Sequence, residues 1–173
     1  MSATRGLPGA LPGRARAVLA CALLAIALAG GAHAAGVEVA TLDGRRAGLG
    51  EFLAKDRFTL IMVWTTYCGF CREQYPIISA FHTAHSGRDA EVLGISLDGL
   101  GAADAVGAYQ KAQAHSCPSV LAEAEEFAPK YQKTVGGKFT GTPTYLMFDR
   151  TGKLSGYLDG PVTRAALERA LTR

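Results

Sequence analysis

The chain has 173 residues, a length for one domain, and carries 18 Lys and Arg against 15 Asp and Glu. Three of those basic residues (Arg5, Arg14, Arg16) and none of the acids lie in residues 1–34, so the remainder balances 15 against 15 with no formal charge. That balance, with no basic stripe, excludes a nucleic-acid partner recognised by charge, and the 139 residues after position 34 can bury a core without disulfides.

In chain order, a targeting segment comes first. The basic start leads to 17–29 (AVLACALLAIALA), an apolar run of 13 residues, and then to Ala32-His33-Ala34, a small-x-small cleavage pattern. These features describe a secretory signal peptide cut after Ala34. The run falls short of the roughly 20 apolar residues of a membrane-spanning helix. The rival reading keeps the segment as an uncleaved N-terminal membrane anchor. Lipidation at Cys21 fits less well, since most of the apolar run follows that cysteine. The expected organisation is signal peptide 1–34 and one domain 35–173.

Residues 37–42 alternate as an edge strand does, and Asp43-Gly44 marks a turn. One helical turn is expected over 49–54. The near-continuous apolar run 58–64 (FTLIMVW) suits a central strand buried on both faces. A Cys-x-x-Cys follows at once. Residues 72–85 read as a helix with Tyr75, Ile78 and Phe81 on one side and an expected kink at Pro76. A strand at 91–98 stops at Gly99, and 102–115 is helical. Then come a short strand at 118–121, a short helix at 123–132 interrupted near Pro129, and a Gly136-Gly137-Lys138 loop. Residues 144–149 and 153–158 form a hairpin about Thr151-Gly152. Thr163 caps a last helix to about residue 171. Strand, helix, strand, helix, hairpin and helix describe an α/β chain with a central mixed sheet and helices on both faces.

With the signal gone, Cys68, Cys71 and Cys117 remain, which suggests one pair and one leftover thiol in a compartment where disulfides persist. As a structural staple the Cys68–Cys71 pair is weak, because so small a loop removes little chain entropy. As a metal site it lacks partners. Zinc wants four ligands, and the other candidates are Cys117, His82, His85 and His115. Copper is the metal that soft thiolates of an exported protein would take. As a redox couple it explains more. A strand feeds the motif and a helix leaves it, so Cys68 sits where unpaired N–H groups and the macrodipole favour thiolate. Cys71, one turn in, is placed to resolve a mixed disulfide on Cys68.

Two motifs now carry a resemblance. One is Trp64-Thr65-Thr66-Tyr67-Cys68-Gly69-Phe70-Cys71-Arg72 with Pro76. The other is Gly141-Thr142-Pro143-Thr144, followed by Asp149-Arg150-Thr151-Gly152-Lys153. Over about residues 37–171 the chain resembles the thioredoxin-fold superfamily, and within it the exported TlpA/ResA/DsbE-type thiol–disulfide oxidoreductases. The resemblance implies a thioredoxin fold over 35–173 and a cis Pro143 lying against the cysteine pair. It implies catalysis by Cys68 and Cys71, with Thr142 and Pro143 shaping the partner groove. Beside these, Tyr67 reads as a surface contact, Phe70 as either partner recognition or packing, and Trp64 as either active-site surface or core. No cofactor and no metal are required. The implied protein is a periplasmic monomer that reduces cysteine pairs of specific exported proteins, of cytochrome c or oxidase assembly type. A membrane thiol electron carrier would recharge it.

The chain also departs from that pattern. Thioredoxins bury an acid six residues before the first cysteine, where this chain has Met62. Family members often have Glu three residues after the second cysteine, where this chain has Gln74, with Glu73 one earlier. Three rivals stay open: a DsbA-like oxidase, for which residues 72–142 leave little room for a helical insertion; a peroxidase, which needs an activating Thr and Arg beside its thiol; and a copper-binding assembly module. The blander readings make Cys117 a buried inert thiol, and His82, His85 and His115 solvated helix residues. Glu123, Glu125 and Glu126 are then a wet helix start.

Overall fold

The apolar run of the sequence becomes the strand about which everything else is arranged. In the computed structural model, which describes residues 36–172, β3 (Phe58–Trp64) is buried along its whole length. The expected signal segment lies outside the described residues. Phe58, Leu60, Met62 and Trp64 enter one core, while Ile61 and Val63 enter a second on the opposite face. That is the two-residue period of a strand covered on both sides.

Around it lie β1 (Glu38–Thr41), β2 (Arg46–Gly48), β4 (Ala90–Ser96), β5 (Ser119–Leu121), β6 (Thr144–Phe148) and β7 (Leu154–Asp159), in the order β2-β1-β5-β4-β3-β6-β7. β3 pairs parallel with β4 and antiparallel with β6. β4 and β5 are parallel. The β1–β2, β1–β5 and β6–β7 pairs are antiparallel. A 3-10 turn at Leu49–Phe52 stands where one helical turn is expected. β2 was not expected; its three residues show no alternation of their own and are fixed by pairing with β1.

Four helices cover the sheet: α1 (Gly69–His85), α2 (Ala103–Ala112), α3 (Ala124–Val135) and α4 (Arg164–Ala170). Residues of α1, α2 and α4 (Tyr75, Ile78, Phe81, Val106, Leu167) join the first core. Phe127 and Tyr131 of α3 join the second. Each such buried side chain contributes about 1.5–3 kcal/mol. Both α1 and α3 run on through their prolines, Pro76 and Pro129, where a kink and an interruption are expected. The carbonyls left without a donor belong to Arg72 and Glu125, both exposed, where water can serve them. Thr163 caps α4 as expected, its hydroxyl accepting from Ala166 N–H at 3.3 Å.

β4 and β5 approach closely at Gly94. A Cβ there would stand 2.2 Å from Ser119 Oγ and 2.8 Å from the Trp64 indole nitrogen. The residue is glycine because two neighbouring side chains occupy the space.

Candidate active site

β3 ends at Trp64 and α1 begins at Gly69, so the turn between them carries the first cysteine. Cys68 is the N-cap of α1, with extended backbone (φ −82°, ψ 104°), and its sulfur accepts the Cys71 N–H at 3.1 Å. Helix formation starts three residues earlier than the spacing suggests, because this sulfur serves one of the orphan N–H groups. Cys68 and Cys71 are joined as a disulfide, with Cα atoms 5.2 Å apart. Cys68 is half-buried, and Cys71 is 0% exposed.

Facing them is the loop before β6, with the Thr142–Pro143 bond cis. Gly141, at φ +142°, makes the approach to that bond. The Thr142 carbonyl oxygen lies 3.5 Å from Cys68 Sγ. A disulfide sulfur has no proton to donate, so this is a van der Waals approach in the oxidised state. Pro143 offers no N–H, and its carbonyl accepts from Gly160 N–H at 2.8 Å, tying the loop to the end of β7. Thr144 is 0% exposed and donates to the Gly141 carbonyl at 2.7 Å, beside Asp159 Oδ1 at 2.9 Å.

Tyr67 and Phe70 flank the half-buried sulfur and are the most exposed large hydrophobic residues among those described, at 80% and 63%. Trp64 is different. It is 0% exposed, with its ring 5.6 Å from Tyr75, 6.0 Å from Tyr109 and 5.3 Å from His115. Its side chain therefore supports the site from beneath and cannot touch a docked chain, which corrects the active-site-surface reading in favour of the core.

Two buried histidines also overturn the solvated reading. His115 stacks on Tyr75 with centroids 4.4 Å apart, and its Nδ1 faces the Gln110 amide at 3.0 Å. Burial, and secondarily the neighbouring His82, hold its pKa down at about 4. His85 sits between Asp89 and Glu168, at 2.8 and 3.0 Å, and so links α1 to α4. The i,i+4 spacing of His85 and Asp89 is a signal for that pair, but nothing in the sequence spacing signals Glu168 or the stacking of His115. Cys117 is free and 2% exposed, and burial pushes its thiol up to about 12, which makes it inert. Glu123, Glu125 and Glu126 are exposed at the start of α3, and Glu123 accepts the Leu100 N–H at 2.8 Å.

Two further residues organise the site: Gln74, noted in the sequence only as a departure from the family pattern, and Asp98, which sequence reasoning missed. Gln74 Oε1 accepts from the Tyr145 hydroxyl at 3.3 Å and from Val162 N–H at 2.8 Å, joining α1, β6 and the chain before α4. Asp98 accepts from Thr66, two residues before Cys68. A lone Asp after a strand gives no signal in sequence; its neighbours appear once β4 lies parallel to β3.

The comparisons with known proteins agree with this geometry. A family model described as the AhpC/TSA family matches residues 31–156. No curated protein matches the chain. Among solved structures, a thioredoxin-related protein from Neisseria meningitidis serogroup B is 25% identical with a TM-score of 0.61, covering 78% of this chain and 96% of its own. StoA from Bacillus subtilis is 21% identical with a TM-score of 0.59, covering 79% and 95%. A secreted Mycobacterium tuberculosis disulfide oxidoreductase, homologous to E. coli DsbE, is 15% identical with a TM-score of 0.60, covering 79% and 95%. The described residues have the thioredoxin fold.

Proposed function

The chain belongs to the AhpC/TSA family, and from that premise we propose that it is an exported thiol–disulfide oxidoreductase that reduces disulfides of specific exported proteins. The observation that carries the reading is the Cys68–Cys71 disulfide at the start of α1, facing the cis Thr142–Pro143 bond. In the reduced form, Cys68 is the nucleophile. Its thiolate attacks one sulfur of a partner disulfide, a mixed disulfide forms, and the partner's other sulfur leaves as thiolate. Cys71 then loses its proton and attacks Cys68 Sγ. The reduced partner leaves, and the Cys68–Cys71 disulfide remains. Two electrons pass to the partner.

The backbone of Thr142, beside a Pro143 that has no N–H, forms with Tyr67 and Phe70 the surface against which an extended partner segment is held. Substrates are cysteine pairs of cytochrome c or oxidase assembly type, and a membrane thiol carrier returns the electrons. Export is supported by the basic, apolar and small-residue pattern of residues 1–34. Among the described residues no helix is long and apolar enough to cross a membrane.

For the copper-binding alternative, no group of three or more His, Cys, Asp or Glu among the described residues is arranged to hold a metal ion. For the peroxidase alternative, the polar contacts of Cys68 Sγ among the described residues are the Cys71 N–H and the Thr142 carbonyl, neither of them an activating guanidinium. The test is dithiothreitol-driven insulin reduction beside Cys68→Ser. The parent should accelerate it, and the variant, which lacks the nucleophile, should run at the rate of dithiothreitol alone. Equal rates would sink the enzyme. A reduction potential well below the glutathione pool supports the reductant direction, and a strongly oxidising one favours a DsbA-like oxidase.

A further inference from the structure

The turn that carries Cys68 is held by a carboxylate with no cationic partner. Asp98, just past β4, receives the Thr66 N–H on its two oxygens at 3.3 and 3.0 Å. It also takes the Thr66 hydroxyl at 2.5 Å and the Ser96 hydroxyl at 2.5 Å. All these donors are neutral, and no ion pair among the described residues includes Asp98. Thr66 is two residues before Cys68. At about 3.5 Å per residue the carboxylate therefore lies within roughly 10 Å of that cysteine's backbone nitrogen, and so on the order of 10 Å from its sulfur.

The position where thioredoxins bury an acid is Met62, itself 0% exposed. Asp98 is thus the acid joined directly to the motif's turn. The other ionisable groups that face this corner come from three elements. Tyr75 of α1 has a buried hydroxyl beside Tyr109. Burial, then the neighbouring Tyr109 of α2, then Asp98 all oppose its ionisation. Glu123, at the start of α3, is occupied by Leu100 N–H.

We propose that Asp98 is a positioning residue whose charge restrains thiolate formation at Cys68 and so makes the Cys68–Cys71 pair a stronger reductant. The proposal rests on reading that pair as a disulfide-exchange site. Two fields meet at the sulfur. The start of α1 and the Cys71 N–H favour the thiolate; Asp98 opposes it. The disulfide carries no charge, so a field that disfavours the thiolate destabilises the reduced state alone. The potential then moves to more negative values. At about 10 Å and an effective dielectric of 20–40, the effect is roughly tenfold within a factor of three. A tenfold change corresponds to about 30 mV for this two-electron couple.

The test uses the full chain with Asp98→Asn, which removes the charge and keeps the shape, beside Thr66→Val, which keeps the charge and loosens the clamp. Two quantities are read: the thiolate absorbance of Cys68 against pH, and the exchange equilibrium with glutathione at a pH above that titration. Asp98→Asn should increase the acid dissociation constant of Cys68 and the equilibrium constant towards the dithiol by about tenfold each. Thr66→Val should move neither by more than about threefold. An unchanged Asp98→Asn, or a Thr66→Val shift of equal size, overturns the proposal. Should Asp98→Asn fail to fold, Asp98→Ser carries the same requirement. The comparison is between variants, so inactivity of the parent on insulin sinks the function and leaves this test standing. An active parent with an unmoved Asp98→Asn sinks this proposal alone.

Discussion

At His115 the two ring nitrogens have different surroundings. Nδ1 meets the Gln110 amide, while Nε2 is buried without a partner. The ring is therefore held neutral, with a pKa near 4 against an ordinary 6.5. As the pH falls, the unfolded chain takes this proton first. Stability from neutral His115 is complete above about 6.5 and drains away as the pH approaches 4, to a limit of about 3 kcal/mol. Urea unfolding should show a loss of about 2–3 kcal/mol between pH 7 and 4.5 that His115→Leu largely abolishes. The same side chain marks what residue-level reading could not reach. Its place against Tyr75 and Trp64 arises from the turn after α2, and no sequence pattern distinguishes it from a solvated histidine. The Cys68–Cys71 pairing was legible because it depends on spacing along the chain, and the cis bond before Pro143 because the resemblance implies it. Trp64 stayed open between surface and core because a strand-end aromatic has the same sequence signature whether it points outward or in, and the structure decides for the core.

Between elements, Gln74 joins parts far apart in the chain. Replacing it with Leu leaves the Tyr145 hydroxyl and Val162 N–H buried without an acceptor. Gln74→Leu should cost about 2–4 kcal/mol in urea unfolding, and the cost should fall on the packing of α1 against β6 and the start of α4. His85 makes a second tie through Asp89 and Glu168, whose carboxyls it holds below the usual range by hydrogen bonding. That contribution is present above ordinary carboxylate values and disappears as acid protonates the two groups. At this scale the sequence read well wherever burial was two-sided. β3 runs over the seven residues of its apolar run, and β6 and β7 follow their turn signal. β2 was invisible because its pairing partner defines it. The helix through Pro129 was expected to be interrupted because proline's cost was counted without the solvent that relieves it.

For the molecule as a whole, the seven-stranded sheet and its two cores hold the fold together, and the disulfide is not needed for that. Closing a loop of sequence separation three adds at most about 2 kcal/mol. Oxidised and reduced protein should therefore both unfold cooperatively in urea, within about 2 kcal/mol of each other. A reduced form that loses its tertiary structure would contradict this. The architecture was legible from the order of apolar runs and two separated motifs, since parallel strands joined by helices leave few alternatives.

Cys71 lies wholly beneath the surface while its neighbour does not. On the proposed function, a partner's sulfur is joined at Cys68 alone, and its release depends on the sulfur behind. A Cys71→Ser chain should stay covalently attached to whatever it meets, as a complex that survives denaturation and separates on adding a thiol. Isolated from its own compartment, that adduct would carry the identity of its partner into a mass spectrometer. Cys68→Ser should come away empty.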